Sequence, residues 1–371
     1  MFKKKILSTL LAVGLSASFL VGCTSGGDKG TTSDSDKVNV KLLVTGALGD
    51  KGFNDSANAG IKKIEEQFGD KVEVEVVEMG FDQTKFEPSL VDASESDADV
   101  IVTGGWDMKE HVENTAETYQ DKKYIVYDTD VNYDEYDLQN VYSMTYKQNE
   151  AGFLAGVLAT LVTTSDMELA NEEKVIGFVG ARDTSAVIND SLVGYIEGAK
   201  FIDKDVKVEV AYIGSFTDTA KAKEITLAQY SNGADVVFTA AGPASAGSVE
   251  AAKDAKKYVI GVDSDQAIAY EGKEEQKYII SSALKNIDKS LVDTMDALLN
   301  DKLEFNTHSV LGIKEDTVGL AENDIYTSTV SEAIRTKVSE VAKELKEGKI
   351  EVSTALGMDE AKLKEIIQSA K

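Results

Sequence analysis

Residues 98–105 (ADVIVTGG) return as residues 234–242 (ADVVFTAAG), and three further pairs of segments recur at the same distance along the chain. Residues 122–130 match 256–265, the apolar run 40–46 matches 175–180, and 79–82 match 214–218. The offset stays between 134 and 136 residues in all four pairs, so the matches form one ordered repeat. The chain therefore contains two copies of one structural unit.

Within each copy, short runs rich in Val and Ile alternate with longer stretches of helical spacing, which predicts a parallel sheet with helical crossovers. The expected architecture is two doubly wound α/β lobes joined by a hinge that closes on a ligand. Ligand-facing residues then belong at the carboxyl ends of the strands. Residues 38–147 and 270–305 are expected to form the first lobe, and 148–269 and 306–371 the second. On this reading a strand at 278–283 and a helix at 287–300 return to the first lobe. Strands near 310–313 and 317–321 then join the second, ahead of C-terminal helices with solvated Lys and Glu repeats. The helix at 148–156 (QNEAGFLAG) carries small residues suited to close packing.

Ahead of the repeat, Met1-Phe2-Lys3-Lys4-Lys5 is basic and is followed by an apolar run that ends in Leu20-Val21-Gly22-Cys23. A transmembrane helix needs roughly 20 apolar residues. This run is shorter, is interrupted by Ser8, Ser16 and Ser18, and closes on small residues, which predicts a secretory signal peptide over 1–22. Cys23 is the sole cysteine, so no intramolecular disulfide forms. Its Leu-x-Gly-Cys setting resembles a bacterial lipobox, which implies lipidation at Cys23. Residues 24–37 contain no apolar side chain, and 23–37 read as a flexible tether.

A formal charge of -26, with Arg182 and Arg335 the only arginines, argues against nucleic acid as a partner, because phosphate backbones need basic patches. His111 and His308, the only histidines, sit in no dyad or zinc motif. Gly242-Pro243-Ala244-Ser245-Ala246-Gly247 lacks the serine spacing of a nucleophile elbow. The sequence thus points to a binding role with no catalytic residues, cofactor or metal.

Phe53, in the polar loop 49–55, is a candidate stacking platform, and Phe216, in 214–218, is similarly placed in the other lobe. Two rings closing on a flat ligand would exclude water; burial in a local core suits either one alone equally well. Asp50 and Asn54 share the first loop. Trp106 follows Gly104-Gly105 at a strand end and either lines the cleft or packs beneath its loop. Asp128 and Asp263 occupy matching strand ends, where a carboxylate accepts from vicinal hydroxyls or caps a helix. Gly242 lies at another strand end. Lys285 reaches the same hydroxyls, offsets the carboxylates, or stays in solvent.

Several motifs together resemble the basic membrane protein family of ABC-transporter substrate-binding lipoproteins. They are Asp50-Lys51-Gly52-Phe53-Asn54, the 148–156 helix, Ile176-Gly177-Phe178-Val179-Gly180, Gly194-Tyr195 with Gly198-Ala199, Gly214-Ser215-Phe216, Gly261-Val262-Asp263-Ser264-Asp265-Gln266 and Ser282-Ala283-Leu284-Lys285. The resemblance implies a type I periplasmic-binding-protein fold and a lipid-anchored monomer at the extracytoplasmic face of the cell membrane. It also implies a small-molecule ligand handed to an ABC permease. In such a protein Phe53 and Phe216 sandwich a purine, while Asp128, Gly242, Asp263 and Lys285 address the ribose. Two stretches depart from the family pattern: Thr45-Gly46-Ala47-Leu48 stands where an acidic residue is usual, and Gly242-Pro243-Ala244-Ser245 replaces a Gly-rich turn. Other readings are a binding protein for a sugar or furanose-like signal, a ligand-presenting sensor, and a nucleoside-cleaving enzyme.

Overall fold

The computed structural model describes residues 37–370. The expected signal peptide, the lipidation site Cys23 and nearly all of the tether lie outside the described residues. The first half runs β1 (Val38–Val44), α1 (Phe53–Phe68), β2 (Val72–Glu78), α2 (Phe86–Glu95), β3 (Val100–Gly104), α3 (Lys109–Thr118), β4 (Lys123–Tyr127) and β5 (Val141–Tyr146). After α4 (Gln148–Thr163) the pattern repeats as β6 (Val175–Gly180), α5 (Ala186–Ile202), β7 (Lys207–Tyr212), α6 (Thr219–Ser231), β8 (Val236–Ala240) and α7 (Ser245–Ala255). It continues through β9 (Tyr258–Asp263), α8 (Gln266–Ala269) and β10 (Ile279–Lys285). The remainder is α9 (Ile287–Leu299), β11 (Thr307–Leu311), β12 (Val318–Leu320), α10 (Asp324–Thr329), α11 (Glu332–Lys346) and α12 (Glu360–Ser369).

The strands form two six-stranded sheets, ordered β11-β5-β4-β3-β1-β2 and β12-β10-β9-β8-β6-β7. Pairing is parallel throughout the first sheet, and in the second only β12 runs antiparallel, against β10. The central strands β3 and β8 are buried along their whole length. Helices cover both faces of such strands, which is why they read as unbroken apolar runs instead of alternating ones.

Two lobe assignments expected from the sequence are corrected. The strand expected to return to the first lobe at 278–283 is β10, which pairs with β9 in the second sheet. The strand expected in the second lobe near 310–313 is β11, which pairs with β5 in the first. In the common strand order β10 is the counterpart of β5. The duplication thus includes a fifth strand, and each copy completes that strand before the chain crosses over.

After β5 the chain enters α4, which packs on α5; after β10 it enters α9, which packs on α1. After β11 it returns to the second sheet through β12. Three connections, at Lys147, Asn286 and Gly312, therefore join the lobes. Glu150 ties two of them together: its Oε2 accepts from the Ile313 amide at 2.8 Å and its Oε1 lies 3.4 Å from Lys147 Nζ.

Close helix packing flanks these connections. A Cβ at Gly60 of α1 would lie 2.9 Å from Asp288 Cα of α9. Between α4 and α5 the approach is tighter still, since a Cβ at Gly156 or Gly194 would meet the carbonyl oxygen of Tyr195 or Asn149 at 2.1 or 1.9 Å. Only a residue without a side chain fits at these points.

Candidate functional site

Both sheets direct their strand ends toward one cavity of about 420 Å³ between the lobes. That volume falls in the range of small-ligand sites. Asp50, Phe53, Asn54, Trp106 and Asp128 line it from the first lobe, and Phe216, Gly242, Asp263 and Lys285 from the second. The arrangement follows from parallel strands, whose carboxyl ends in each lobe must emerge on the same side.

The loop carrying Phe53 is held by its own carboxylates. Asp50 accepts from the amides of Gly52 at 3.0 Å, Asn54 at 2.8 Å and Asp55 at 3.0 Å. Asp55 accepts from Gly49 at 2.7 Å and Lys51 at 2.8 Å. Asp50 is therefore committed to the amino end of α1 and fixes its neighbours. Asn54 is buried, and its Oδ1 has no hydrogen-bond partner.

Each aromatic candidate stands beside a glycine in the left-handed region. A Cβ at Gly105 (φ 95°) would lie 3.8 Å from the Phe53 ring, and one at Gly242 (φ 55°) 3.5 Å from Phe216 Cδ1. The Phe53 ring also lies 5.5 Å from that of Tyr127, centroid to centroid. Arg182 Cζ sits 5.3 Å from the centre of Phe216. Trp106 lines the cavity from the first lobe and is 41% exposed.

Deeper in the cleft, Lys285 Nζ donates to Asp128 Oδ1 at 2.8 Å, and both side chains are buried. Burial raises the Asp128 carboxyl above its usual range even though Lys285 opposes the shift. Asp263 is pushed up to about 6, chiefly by burial, with Lys285 lowering it and Asp128 and Asp50 adding repulsion. For Lys285, burial works against the charge, yet Asp128 and Asp263 together hold its pKa above the ordinary value. One buried ammonium between two carboxylates offers a donor and several acceptors at close quarters, the set that two adjacent hydroxyls require.

Across one side of the mouth the lobes touch. Ser264 Oγ donates to the Gly52 carbonyl at 3.1 Å, and Lys51 Nζ lies 5.4 Å from the centre of the Tyr270 ring.

A family model described as ABC transporter substrate-binding protein PnrA-like matches residues 37–351. The chain belongs to this Bmp family. Basic membrane protein A1 of Borrelia garinii subsp. bavariensis is 29% identical over 85% of this chain and 87% of its own length. A protein of Lactococcus lactis subsp. cremoris named ABC transporter nucleoside-binding protein BmpA is 29% identical over 90% of this chain and 95% of its own. Among solved structures, a solute-binding protein of an ABC transporter system from Aeropyrum pernix K1 superposes with a TM-score of 0.78 at 24% identity, covering 90% of this chain and 97% of that one. The fold is the type I periplasmic-binding-protein fold.

As a Bmp family member the protein is a substrate-binding component of an ABC transporter, a class that works outside the cytoplasm. No helix among the described residues is long and apolar enough to cross a membrane. His308, on β11, bridges Ser143 Oγ at 2.8 Å and Thr145 Oγ1 at 2.9 Å, and is not among the residues that line the cavity.

Sequence reasoning missed several lining residues of this Bmp protein, among them Gln83, Asp107, Gln148 and Arg182. Gln83 Nε2 donates to Asp107 Oδ2 at 2.7 Å on the first-lobe side. Of the departing stretch 45–48, Thr45 lines the cavity. The available signals were slight: Arg182 is one of two arginines and follows the end of β6, and Gln148 is a polar residue opening a nearly all-buried helix.

Proposed function

We propose that this protein is the nucleoside-binding lipoprotein of an ABC importer, anchored through a lipid on Cys23 and acting as a monomer that delivers its ligand to a membrane permease. The observation that carries the reading is the layout of the cavity. Phe53 and Phe216 enter it from opposite lobes, and the Asp128–Lys285–Asp263 group lines the same space. Flat aromatic faces suit a base and the charged group suits the two vicinal hydroxyls of a ribose. Asn54, with its free Oδ1, adds an acceptor beside Phe53. The relative named for nucleoside binding supports the same ligand class.

A thermal-shift series on residues 37–371 tests the ligand class. Purine and pyrimidine nucleosides should raise the melting temperature well above the effect of free bases or free ribose, because only a ligand bound to the native state stabilises it. No shift with any nucleoside would overturn the reading, and a shift with a free sugar alone would replace it with the sugar-binding one. Recovery of the nucleoside intact after long incubation separates a carrier from a nucleoside-cleaving enzyme. Replacing Cys23 with Ala in the full chain should release the protein from cells into the medium; retention at the membrane would refute the lipid anchor.

A further inference from the structure

Among the described residues, two of those lining the cavity carry buried side-chain atoms with no hydrogen-bond partner. One is Asn54, at its Oδ1. The other is Gln148, where both Oε1 and Nε2 lack a partner although the residue is only 6% exposed. Buried amides are otherwise paired almost without exception, and one left unpaired at both ends needs an explanation. The position makes the choice of glutamine more pointed. Gln148 is the first residue of α4, whose following turns are almost wholly buried, and α4 packs against β10, the strand that carries Lys285. An apolar side chain would satisfy that packing without stranding a donor and an acceptor.

We infer that Gln148 is a positioning residue for the ligand and that its amide receives the primary hydroxyl of the sugar. This assignment rests on the nucleoside reading above. A hydroxyl both donates and accepts, and a carboxamide presents both complements within one planar group. The vicinal hydroxyls are already matched by Asp128, Asp263 and Lys285, and the packing of α4 on the strand that carries Lys285 sets Gln148 on the sugar side of the cavity, where the primary hydroxyl is the hydroxyl left to pair. Neutrality also matters here. Asp50, Asp128 and Asp263 already crowd the cavity around a single buried lysine. A further carboxylate would add repulsion, whereas an amide accepts a hydrogen bond without adding charge.

The test pairs one substitution with one ligand change. Calorimetry would compare residues 37–371, as wild type and as Gln148→Met, binding the tightest of adenosine, guanosine, inosine, cytidine and uridine and its 5′-deoxy analogue. Wild type should bind the 5′-deoxy compound about tenfold or more weakly, and Gln148→Met should bind the two alike, with affinity for the parent nucleoside reduced by a similar factor. The unliganded Gln148→Met protein should also melt at a higher temperature, because the unpaired amide is gone; a purely structural glutamine would give the opposite sign. Equal binding of both ligands by wild type overturns the assignment without reference to any variant, as does a Gln148→Met protein that keeps wild-type discrimination. A wild-type protein that binds none of the five nucleosides overturns the nucleoside reading itself, and this assignment falls with it.

Discussion

Asp128 and Asp263 lie 135 residues apart in the chain and share one unusual backbone state: both are in the left-handed region, at φ 57° and 66°, at the cleft ends of β4 and β9. Aspartate tolerates this region better than most residues, but it still carries a cost. The repeat has preserved the same local geometry at the same strand end twice. Both carboxylates line the cavity with Lys285, which bonds Asp128 directly and lowers the pKa of Asp263.

Removing the partner of Lys285 should be severe. Asp128→Ala leaves a buried ammonium without its hydrogen-bonded carboxylate, a change that costs about 3–5 kcal/mol in comparable pairs. Urea denaturation of the unliganded protein measures it. At pH 5, where Asp263 is largely protonated, the double substitution Asp128→Ala with Lys285→Met should recover much of that loss, since no buried charge then remains unpaired. A double variant as unstable as the single one would show that the pair is not the source.

Asp263 makes stability depend on pH in a defined direction. Its folded-state pKa, about 6, lies above the ordinary aspartate value of 3.8, so the native state holds this proton more tightly than the unfolded chain. The contribution is fully present below about 3.8 and is lost as pH rises through about 6. Relative to Asp263→Asn, the wild type should therefore lose up to about 3 kcal/mol of unfolding free energy between pH 3.5 and 7. Ligand affinity should move the other way, weakening as pH falls through about 6, because a protonated carboxyl is a poorer acceptor for hydroxyls. Denaturant curves and calorimetry across that window, on both proteins, check the two signs.

Phe53→Ala and Phe216→Ala should each weaken nucleoside binding by about 1–3 kcal/mol, the range found for base–aromatic stacking. Phe53→Ala should also lower stability, because its ring packs against Tyr127. Isothermal titration of both variants decides the matter, and unchanged affinity in the pair would remove the sandwich from the model of binding.

Packing beside the lobe connections gives a test independent of any ligand. Gly194→Ala places a methyl 1.9 Å from the carbonyl oxygen of Asn149, a backbone atom that cannot rotate away. Overpacking of this kind typically costs about 1–3 kcal/mol. Gly214, where an added Cβ meets nothing within 4 Å but φ is 83°, should be affected only through its backbone conformation. Melting temperatures of Gly194→Ala and Gly214→Ala would separate crowding from strain.

Repeated segments at a constant offset dictated two α/β lobes, because a run such as 98–105 and its copy at 234–242 form a buried strand in any setting that covers both faces. The same logic made Phe53, Trp106, Asp128, Phe216, Gly242 and Asp263 legible as a group: parallel strands deliver their carboxyl ends to one side. Local pattern says nothing, however, about which free sheet edge a strand will join. That is why Ile279–Lys285 and Thr307–Leu311 were expected in the wrong lobes. Their pairing is set by tertiary fit at the edges of β9 and β5. Burial was equally invisible. Asp50 looks in sequence like a free ligand group, and only the folded loop shows its carboxylate consumed by three backbone amides. Gln148 looks like an ordinary helix start, and only the packed cleft leaves its amide without a partner. Sequence determined the strands and their ends, which depend on residue order alone, whereas tertiary structure decided partners and desolvation, which depend on what lies opposite.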